Sequence, residues 1–305
     1  MNECVIVPTF QRQDLLFLSL EAIRTFEPEI PIHIWPDRGT DERELANRFG
    51  AIHHWTWEHG YHGNSANMLE AMKWAFNQRY SRVFIIEDDA IIDKSFFPWC
   101  RNALDTKPDT FAACGWQYSP NALPGDGADI QIPWYLSVAA CIPARSLASI
   151  VQHASLEYYR DMKGYLDRTF PSSAHRGTMH YEQDGLVLRV AESQRKRCVW
   201  PRRPRALHCG WYGYHQGDNK MEGTLEERVE VLRLAIRNPE ILRSMMSGAG
   251  LPTIGYCVDC HLPLAVERSG DPVYCERCFH DRWPGLELIG VGQYYVNPVQ
   301  LLAQP

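Results

Sequence analysis

Three clusters of reactive side chains stand out in this sequence of 305 residues. The first is Glu87-Asp88-Asp89, directly after the apolar run Val83-Phe84-Ile85-Ile86. Three carboxylates at a strand end repel one another, and burying them without a cation is costly. A hard divalent ion, Mg²⁺ or Mn²⁺, held by one carboxylate plus substrate phosphates and water, answers both problems. A solvated loop or the N-cap of a following helix is the plainer alternative. The second cluster is Cys257-Val258-Asp259-Cys260 and Cys275-Glu276-Arg277-Cys278, with fourteen residues between the two knuckles. Four thiolates at that spacing suit a closed tetrahedral Zn²⁺ site, structural rather than catalytic. A segment of about 35 residues buries too little core to fold alone, so the metal supplies the missing free energy. A redox thiol pair would not need two matched knuckles, and His261 and His280 are spare ligands only. The third cluster is Arg195-Lys196-Arg197 and Arg202-Arg203-x-Arg205, with Trp200 among them and no acid. Arginine with an aromatic suits phosphate contacts and base stacking. An ordinary solvated loop, or arginines facing a diphosphate, are the alternatives.

The bulk composition bounds what these clusters can belong to. With 45% hydrophobic and 22% charged residues the chain is globular, which excludes disorder and fibres. A formal charge of −6 excludes gripping nucleic acid by overall charge and leaves only a local basic patch. No run of 18 apolar residues is present, so no membrane partner is expected. The N-terminus enters a strand pattern directly at Cys4–Pro8, without a basic leader, so a cytoplasmic location is expected, the host cytoplasm if the protein is viral. Cys4, Cys100, Cys114, Cys141, Cys198 and Cys209 are scattered and read as small buried hydrophobes.

Alternating strands and helices must position the acidic cluster. Strands are expected at Val5–Val7, Ile32–Trp35, Ala51–Thr56 and Val83–Ile86. Helices are expected at Gln11–Phe26, where Leu16, Leu20 and Ile23 share a face, at Asp41–Phe49 and at Asn64–Gln78. That order predicts an α/β fold, a mixed and mostly parallel sheet flanked by helices. Ligands of such sheets sit beyond the carboxyl ends of the strands, where Pro8–Arg12, Asp37 and Glu87–Asp89 all fall. Further on, Phe111–Trp116 and Trp134–Ile142 read as strands, Arg145–His153 and Glu182–Ala191 as helices, and Arg195–Tyr214 as a loop. The turn His59–Asn64 precedes a helix and could bring peptide N–H groups to a phosphate, or be a simple turn. Residues 1–220 are therefore expected as the α/β domain. Residues 221–250 are expected as a helical connector, with the capping pair Thr224 and Glu227 and the stripe Leu225, Val229, Leu232 and Ile236. Residues 251–285 are expected as a zinc ribbon, and 286–305 as an apolar tail.

The acidic segment Val83–Asp89, followed by Asp93 and Phe96-Phe97, resembles the metal-binding segment of GT-A fold glycosyltransferases. The likeness is to the N-acetylglucosaminyltransferase I type and to family 2-like members. It continues in order over residues 4–216. Ile6–Arg12 resembles the first strand and nucleotide-binding turn, and Trp35–Gly39 the second strand end. Trp134–Ser146 resembles the acceptor-side strand, and Tyr181–Gly185 the segment of the catalytic carboxylate. Arg205–His215 resembles the Gly-rich loop that ends in His. Gly185 stands where the family carries an aromatic.

The resemblance implies transfer of a sugar from a nucleotide diphosphosugar, a UDP-sugar by preference, to a hydroxyl, with inversion. It implies that Asp89 holds Mn²⁺ or Mg²⁺ against the charge of the departing diphosphate. Glu87 and Asp88 would orient ribose and sugar, Asp37 would accept a uracil N–H, and Pro8, Thr9 and Arg12 would line the donor. Asp184, with Glu182 second, would be the general base on the opposite face of the sugar. Either carboxylate could instead merely open a helix. His215 occupies the resembling position in the Gly-rich loop and His208 is a second candidate; a packed histidine is the alternative for both.

Arg202, Arg203, Arg205 and Trp211 border that loop and are the acceptor candidates. A cytosolic enzyme with a ribbon and an Arg-rich rim fits a hydroxymethylated DNA base as acceptor, as in bacteriophage DNA modification, with the base flipped out to be reached. The acceptor could otherwise be a glycan, a protein or a small molecule. Two rivals remain. One is a non-catalytic nucleic-acid-binding protein built on the ribbon. The other is a nucleotidyltransferase, which would want a glycine-rich first turn that Pro8–Arg12 lacks.

Overall fold

The structure is a computed structural model. It describes residues 2–10, 12–37, 41–54, 63–116, 129–176, 181–208, 232–238 and 242, and the backbone of four short strands after residue 252. Two compact units divide the chain, Met1–Asn219 and Lys220–Pro305.

The first unit is built on an eight-stranded sheet. In chain order its elements are β1 (Glu3–Thr9), α1 (Gln13–Phe26), β2 (Ile32–Pro36), α2 (Arg43–Arg48), β3 (Ile52–His53), α3 (Asn64–Asn77), β4 (Arg82–Ile86), β5 (Ala90–Ile92), α4 (Phe96–Thr106), β6 (Thr110–Cys114), β7 (Ile130–Ile132), β8 (Ala139–Pro143), α5 (Ala144–Val151), α6 (Leu156–Arg160), α7 (Met162–Thr169), α8 (Gln183–Ser193), β9 (Arg197–Trp200) and β10 (Ala206–His208). The sheet order is β3-β2-β1-β4-β8-β6-β9-β7, and β10 pairs separately with β5. Strands β3, β2, β1 and β4 run parallel, as do β6 and β9. β8 is antiparallel to both β4 and β6, and β7 to β9. This is the expected mixed, mostly parallel sheet with helices on both faces.

The apolar run of β4 explains why the sheet is covered twice. Val83 and Ile85 face one side and join the core made with Met68, Leu69 and Met72 of α3, Leu147 of α5 and Leu186 of α8. Phe84 faces the other side and meets Phe96 and Phe97 of α4 edge-on, at 6.1 and 4.8 Å between ring centres. A strand buried on both faces loses the polar alternation of a half-exposed one, which is why it reads as an unbroken hydrophobic stretch. Each of these buried rings stabilises the fold by about 1.5–3 kcal/mol. Cys4, Cys100, Cys114, Cys141 and Cys198 are buried free thiols, as expected.

Several expected elements differ. Helices α4, α6 and α7 are additions to the expected elements. The strand expected over Trp134–Ile142 is confined to Ala139–Pro143, with Trp134–Ser137 irregular. The loop expected over Arg195–Tyr214 instead contains β9 and β10, two strands of three to four residues separated by Pro201 and Pro204. In the second unit, residues 232–237 are helical and bury Leu232, Ala235 and Ile236. Its strands β11 (Thr253–Tyr256) and β12 (Pro263–Val266) pair antiparallel, as do β13 (Val273–Tyr274) and β14 (Tyr295–Val296).

Candidate active site

Strands β2, β1 and β4 lie side by side, with Thr9 opposite Pro36 and Ile6 opposite Ile85, so their carboxyl ends form one edge. Glu87–Asp89 is the turn that carries β4 into β5, and it is held from several sides. The Glu87 N–H donates to Val138 O at 3.0 Å, and the Ala90 N–H to Glu87 O at 2.9 Å. The buried Ser19 hydroxyl of α1 sits among the carbonyls of Glu87, Asp88 and Ala90, 3.1 and 3.2 Å from the first two. Helix α1 thus anchors the backbone of the turn, leaving its side chains to do chemistry.

Each carboxylate of the turn has its own surroundings. Asp88 is fully buried; its Oδ2 accepts from Thr9 Oγ1 at 2.8 Å and from the Phe10 N–H at 3.2 Å, and its Oδ1 is ion-paired with Arg12 at 2.8 Å. Asp89 is 1% exposed; Arg12 reaches its Oδ2 at 2.6 Å, and His208 Nε2 lies 3.3 Å from the same oxygen. Half-buried Glu87 accepts from the Ser137 hydroxyl. Three acids thus crowd around one permanent cation. Burial, then the charges of Asp89 and Asp184, push Glu87 up to about 7. Burial also pushes Asp88 up to about 7, helped by Asp89 and opposed by Arg12. His208 is raised as well: burial lowers it, but the hydrogen bond and charge of Asp89 and the charge of Glu87 outweigh that.

Ligand atoms of Glu87, Asp89 and His208 all lie within 4.8 Å of one another. Two carboxylates and an imidazole form a donor set that suits Mn²⁺ or Mg²⁺, and an excess of buried negative charge is what such an ion relieves. These residues fit the ion that the sequence led us to expect.

Beside them is a cavity of about 260 Å³ lined by Pro8, Thr9, Phe10, Arg12, Asp37, Gly63, Asn64, Glu87 and Asp88. Six residues singled out from the sequence, Pro8, Thr9, Arg12, Asp37, Glu87 and Asp88, therefore share one wall. Gly63 enters α3 at φ 121°, a backbone conformation that only glycine adopts without strain. A Cβ there would meet nothing within 4 Å, so the constraint is conformational, not spatial.

Asp184 stands in the first turn of α8, and burial pushes it up to about 7, against the hydrogen bonds of the Ser137 hydroxyl and N–H, with Glu182 raising it further. Its Oδ1 is buried with no hydrogen-bond partner among the described residues. The simpler reading of Asp184 as a helix cap is not realised: Glu182 occupies the cap position, without a side-chain cap bond, and is exposed. The start of α8 is clasped to the start of α3. Ser65 Oγ donates to Gln183 Oε1 at 2.7 Å and accepts from the Gln183 N–H at 3.2 Å, with both residues buried.

Two expectations are corrected here. Trp200 is not available for stacking among the arginines; it is 4% exposed and its indole N–H donates to Trp134 O at 2.9 Å. Arg205 is turned inward, donating to Ser95 Oγ at 2.9 Å, while its main chain bridges Gly115 and Asp93. Arg203 is exposed and Arg202 half-buried. Among the described residues His208, the second candidate beside His215, is the histidine that meets the acids, because β10 pairs with β5 in a register that sets His208 opposite Ala90. Ser19, Ser65, Ser137 and Gln183 were not singled out, since nothing in their local sequence separates them from ordinary polar residues. His215, Trp211, Cys257, Cys260, Cys275 and Cys278 lie outside the residues whose side chains are described, as do Cys209 and His59–His62.

No protein-family model and no curated protein sequence matches the chain. Among solved structures, one similar chain is the galactosyltransferase LgtC in complex with donor and acceptor sugar analogues. It is 12% identical with a TM-score of 0.46, the match covering 76% of this chain and 95% of that one. Another is mouse xyloside xylosyltransferase 1 in its apo form, 10% identical with a TM-score of 0.42, covering 65% and 84%. Likeness of this degree carries nothing about substrate or reaction, so function rests on the site itself.

Proposed function

We propose that the chain is a glycosyltransferase that moves a sugar from a nucleotide diphosphosugar, a UDP-sugar by preference, to a hydroxyl with inversion. One observation carries this reading: Glu87 belongs both to the metal-suited cluster with Asp89 and His208 and to the wall of the cavity at the strand ends. A charged, elongated donor with a diphosphate needs both features adjacent. Glu87, Asp89 and His208 would hold Mn²⁺ or Mg²⁺, which when bound stabilises the negative charge of the leaving diphosphate.

The protein's own groups supply the rest. Asp37, at the end of β2, accepts a uracil N–H. Thr9 and the Phe10 N–H fix Asp88, which with Glu87 orients ribose and sugar. Arg12 balances Asp88 and Asp89 and presents its remaining surface to the cavity. Asp184 accepts the proton of the attacking hydroxyl, and its buried Oδ1, without a partner among the described residues, suits that role; exposed Glu182 is the weaker alternative. His215 is proposed as a further donor contact on the resemblance alone.

The second unit is proposed as a Cys257, Cys260, Cys275, Cys278 zinc ribbon. The paired strands β11 and β12 end at Tyr256 and resume at Pro263, so the first knuckle falls in the sequence that joins them, and β13 immediately precedes Cys275. For the acceptor we favour a hydroxymethylated DNA base, recognised by Arg202, Arg203 and Trp211. Arg205 and Trp200 are withdrawn from that role. A glycan, protein or small-molecule hydroxyl is the competing acceptor. A cytoplasmic enzyme is part of the same reading; among the described residues no helix is long and apolar enough to cross a membrane.

The test is incubation with UDP-sugars and Mn²⁺, offering plain and hydroxymethylated DNA, with mass spectrometry of the nucleosides and zinc counted on the purified protein. Transfer to hydroxymethylated DNA supports the whole reading, and transfer only to other hydroxyls removes the DNA acceptor. A protein that binds no nucleotide sugar by calorimetry with or without metal, yet binds DNA with a steep salt dependence, is the non-catalytic rival.

A further inference from the structure

We infer that Ser137 is a positioning residue that fixes the metal-side carboxylate and the general base to each other. The inference rests on the transferase roles proposed above for Glu87 and Asp184. Ser137 is 1% exposed and lies in the irregular stretch that leads into β8. Its hydroxyl donates to Glu87 Oε1, and Asp184 lies within reach of both that hydroxyl and the Ser137 peptide N–H. The next residue, Val138, accepts the Glu87 N–H through its carbonyl at 3.0 Å. One dipeptide therefore touches both the turn after β4 and the start of α8.

The stoichiometry of donors makes the arrangement directional. A serine hydroxyl has a single proton to give, so it cannot serve two ionised carboxylates at once. With the hydroxyl on Glu87, the peptide N–H is what remains to hold Asp184. One Asp184 oxygen is then fixed, while Oδ1 has no hydrogen-bond partner among the described residues and is the oxygen left for the proposed acceptor hydroxyl. Burial means water does not replace a missing hydroxyl easily, and a carboxylate that loses a buried donor relaxes. The separation between the leaving-group side and the base side of the site is thereby set by one residue.

The experiment compares the full-length wild type with Ser137→Ala and Ser137→Cys, which keeps the volume but is a poor donor, and with Ser137→Thr, which keeps the hydroxyl. Mn²⁺ affinity is measured by calorimetry, and transfer is measured at saturating Mn²⁺ and UDP-sugar. Supporting outcomes are Mn²⁺ binding weakened about tenfold in Ser137→Ala and Ser137→Cys, and kcat still down about 10- to 100-fold when metal and donor are saturating, the usual scale for residues that orient ligands and bases. Donor KM stays within about twofold and Ser137→Thr recovers most of the kcat loss, whereas a merely structural residue would not divide the effects in this way. Return of kcat to the wild-type value at saturating Mn²⁺ would show that Ser137 serves Glu87 alone, overturning the inference. So would unchanged metal binding and unchanged kcat. If Ser137→Ala does not fold, Ser137→Cys decides the matter. A wild-type chain that transfers no sugar removes the transferase reading itself and the inference with it; an active wild type beside unaltered variants removes the inference alone.

Discussion

Nε2 of His208 lies 3.3 Å from Oδ2 of Asp89, and both side chains are largely withdrawn from solvent. The two residues meet because a three-residue strand, β10, pairs with β5 directly after the acidic turn. If they share a metal with Glu87, His208→Ala should weaken Mn²⁺ binding at least tenfold, the lower end of what even outer partners of a metal contribute. Asp89→Ala should abolish binding. Calorimetry on the two variants checks this, and wild-type affinity in His208→Ala would exclude the imidazole from the site.

Asp184 is held up at about 7 by burial, with Glu182 adding to the effect and Ser137 opposing it. A base must be deprotonated to work, so kcat should rise with pH and level off above about 7, falling roughly tenfold per unit below that point. Asp184→Asn should lower kcat by about 10²–10⁴ while leaving donor affinity unchanged. A flat pH profile in the wild type, or an active Asp184→Asn, would assign the base elsewhere.

Arg12 bridges Asp88 and Asp89 from a position only 18% exposed. Removing one member of a buried ion pair leaves the other charge uncompensated, so Arg12→Met should cost about 3–5 kcal/mol of stability at neutral pH. Arg12→Lys should recover only part of that, since a point charge cannot fork to two carboxylates. Urea unfolding with and without Mn²⁺ measures both, and added metal should restore some stability to Arg12→Met because it supplies the missing positive charge.

Buried His33 and half-buried His54 form a pair with 3.0 Å between ring nitrogens, flanked by Trp35, Trp74 and Tyr80. Burial lowers both to about 4, with the charge of His54 acting on His33 and that of His53 on His54. The unfolded chain takes up protons as pH drops through 6.5, while the folded pair resists until about 4. The pair's contribution is therefore complete above 6.5 and is lost as pH falls towards 4. The melting temperature of His33→Gln should fall less steeply than that of the wild type across this window. Parallel melting curves would mean the pair is not neutral in the native state.

The legible part of this molecule is the part written in local periodicity. The apolar run Val83–Ile86 and the spacing of Leu16, Leu20 and Ile23 lead directly to β4 and α1, and the rule that ligands gather at strand ends places Asp37 beside Glu87. What stayed hidden depends on contacts far apart in sequence. Ala206-Leu207-His208 is too short and too close to Pro204 to declare a strand, and only pairing with β5 makes it one. Arg205 and Trp200 look like a binding surface in one dimension, but the fold turns the first inward and buries the second. Ser137 carries no signature at all, because the role proposed for it comes from two acids far from it in sequence.

The Ser65–Gln183 clasp joins the first turn of the helix that borders the cavity to the first turn of the helix that bears Asp184. Those two helix starts are thereby tied to each other. In the proposed transferase, a change that shifts the cavity floor at the start of α3 would also move Asp184, so donor preference and turnover should be inherited together rather than tuned one at a time.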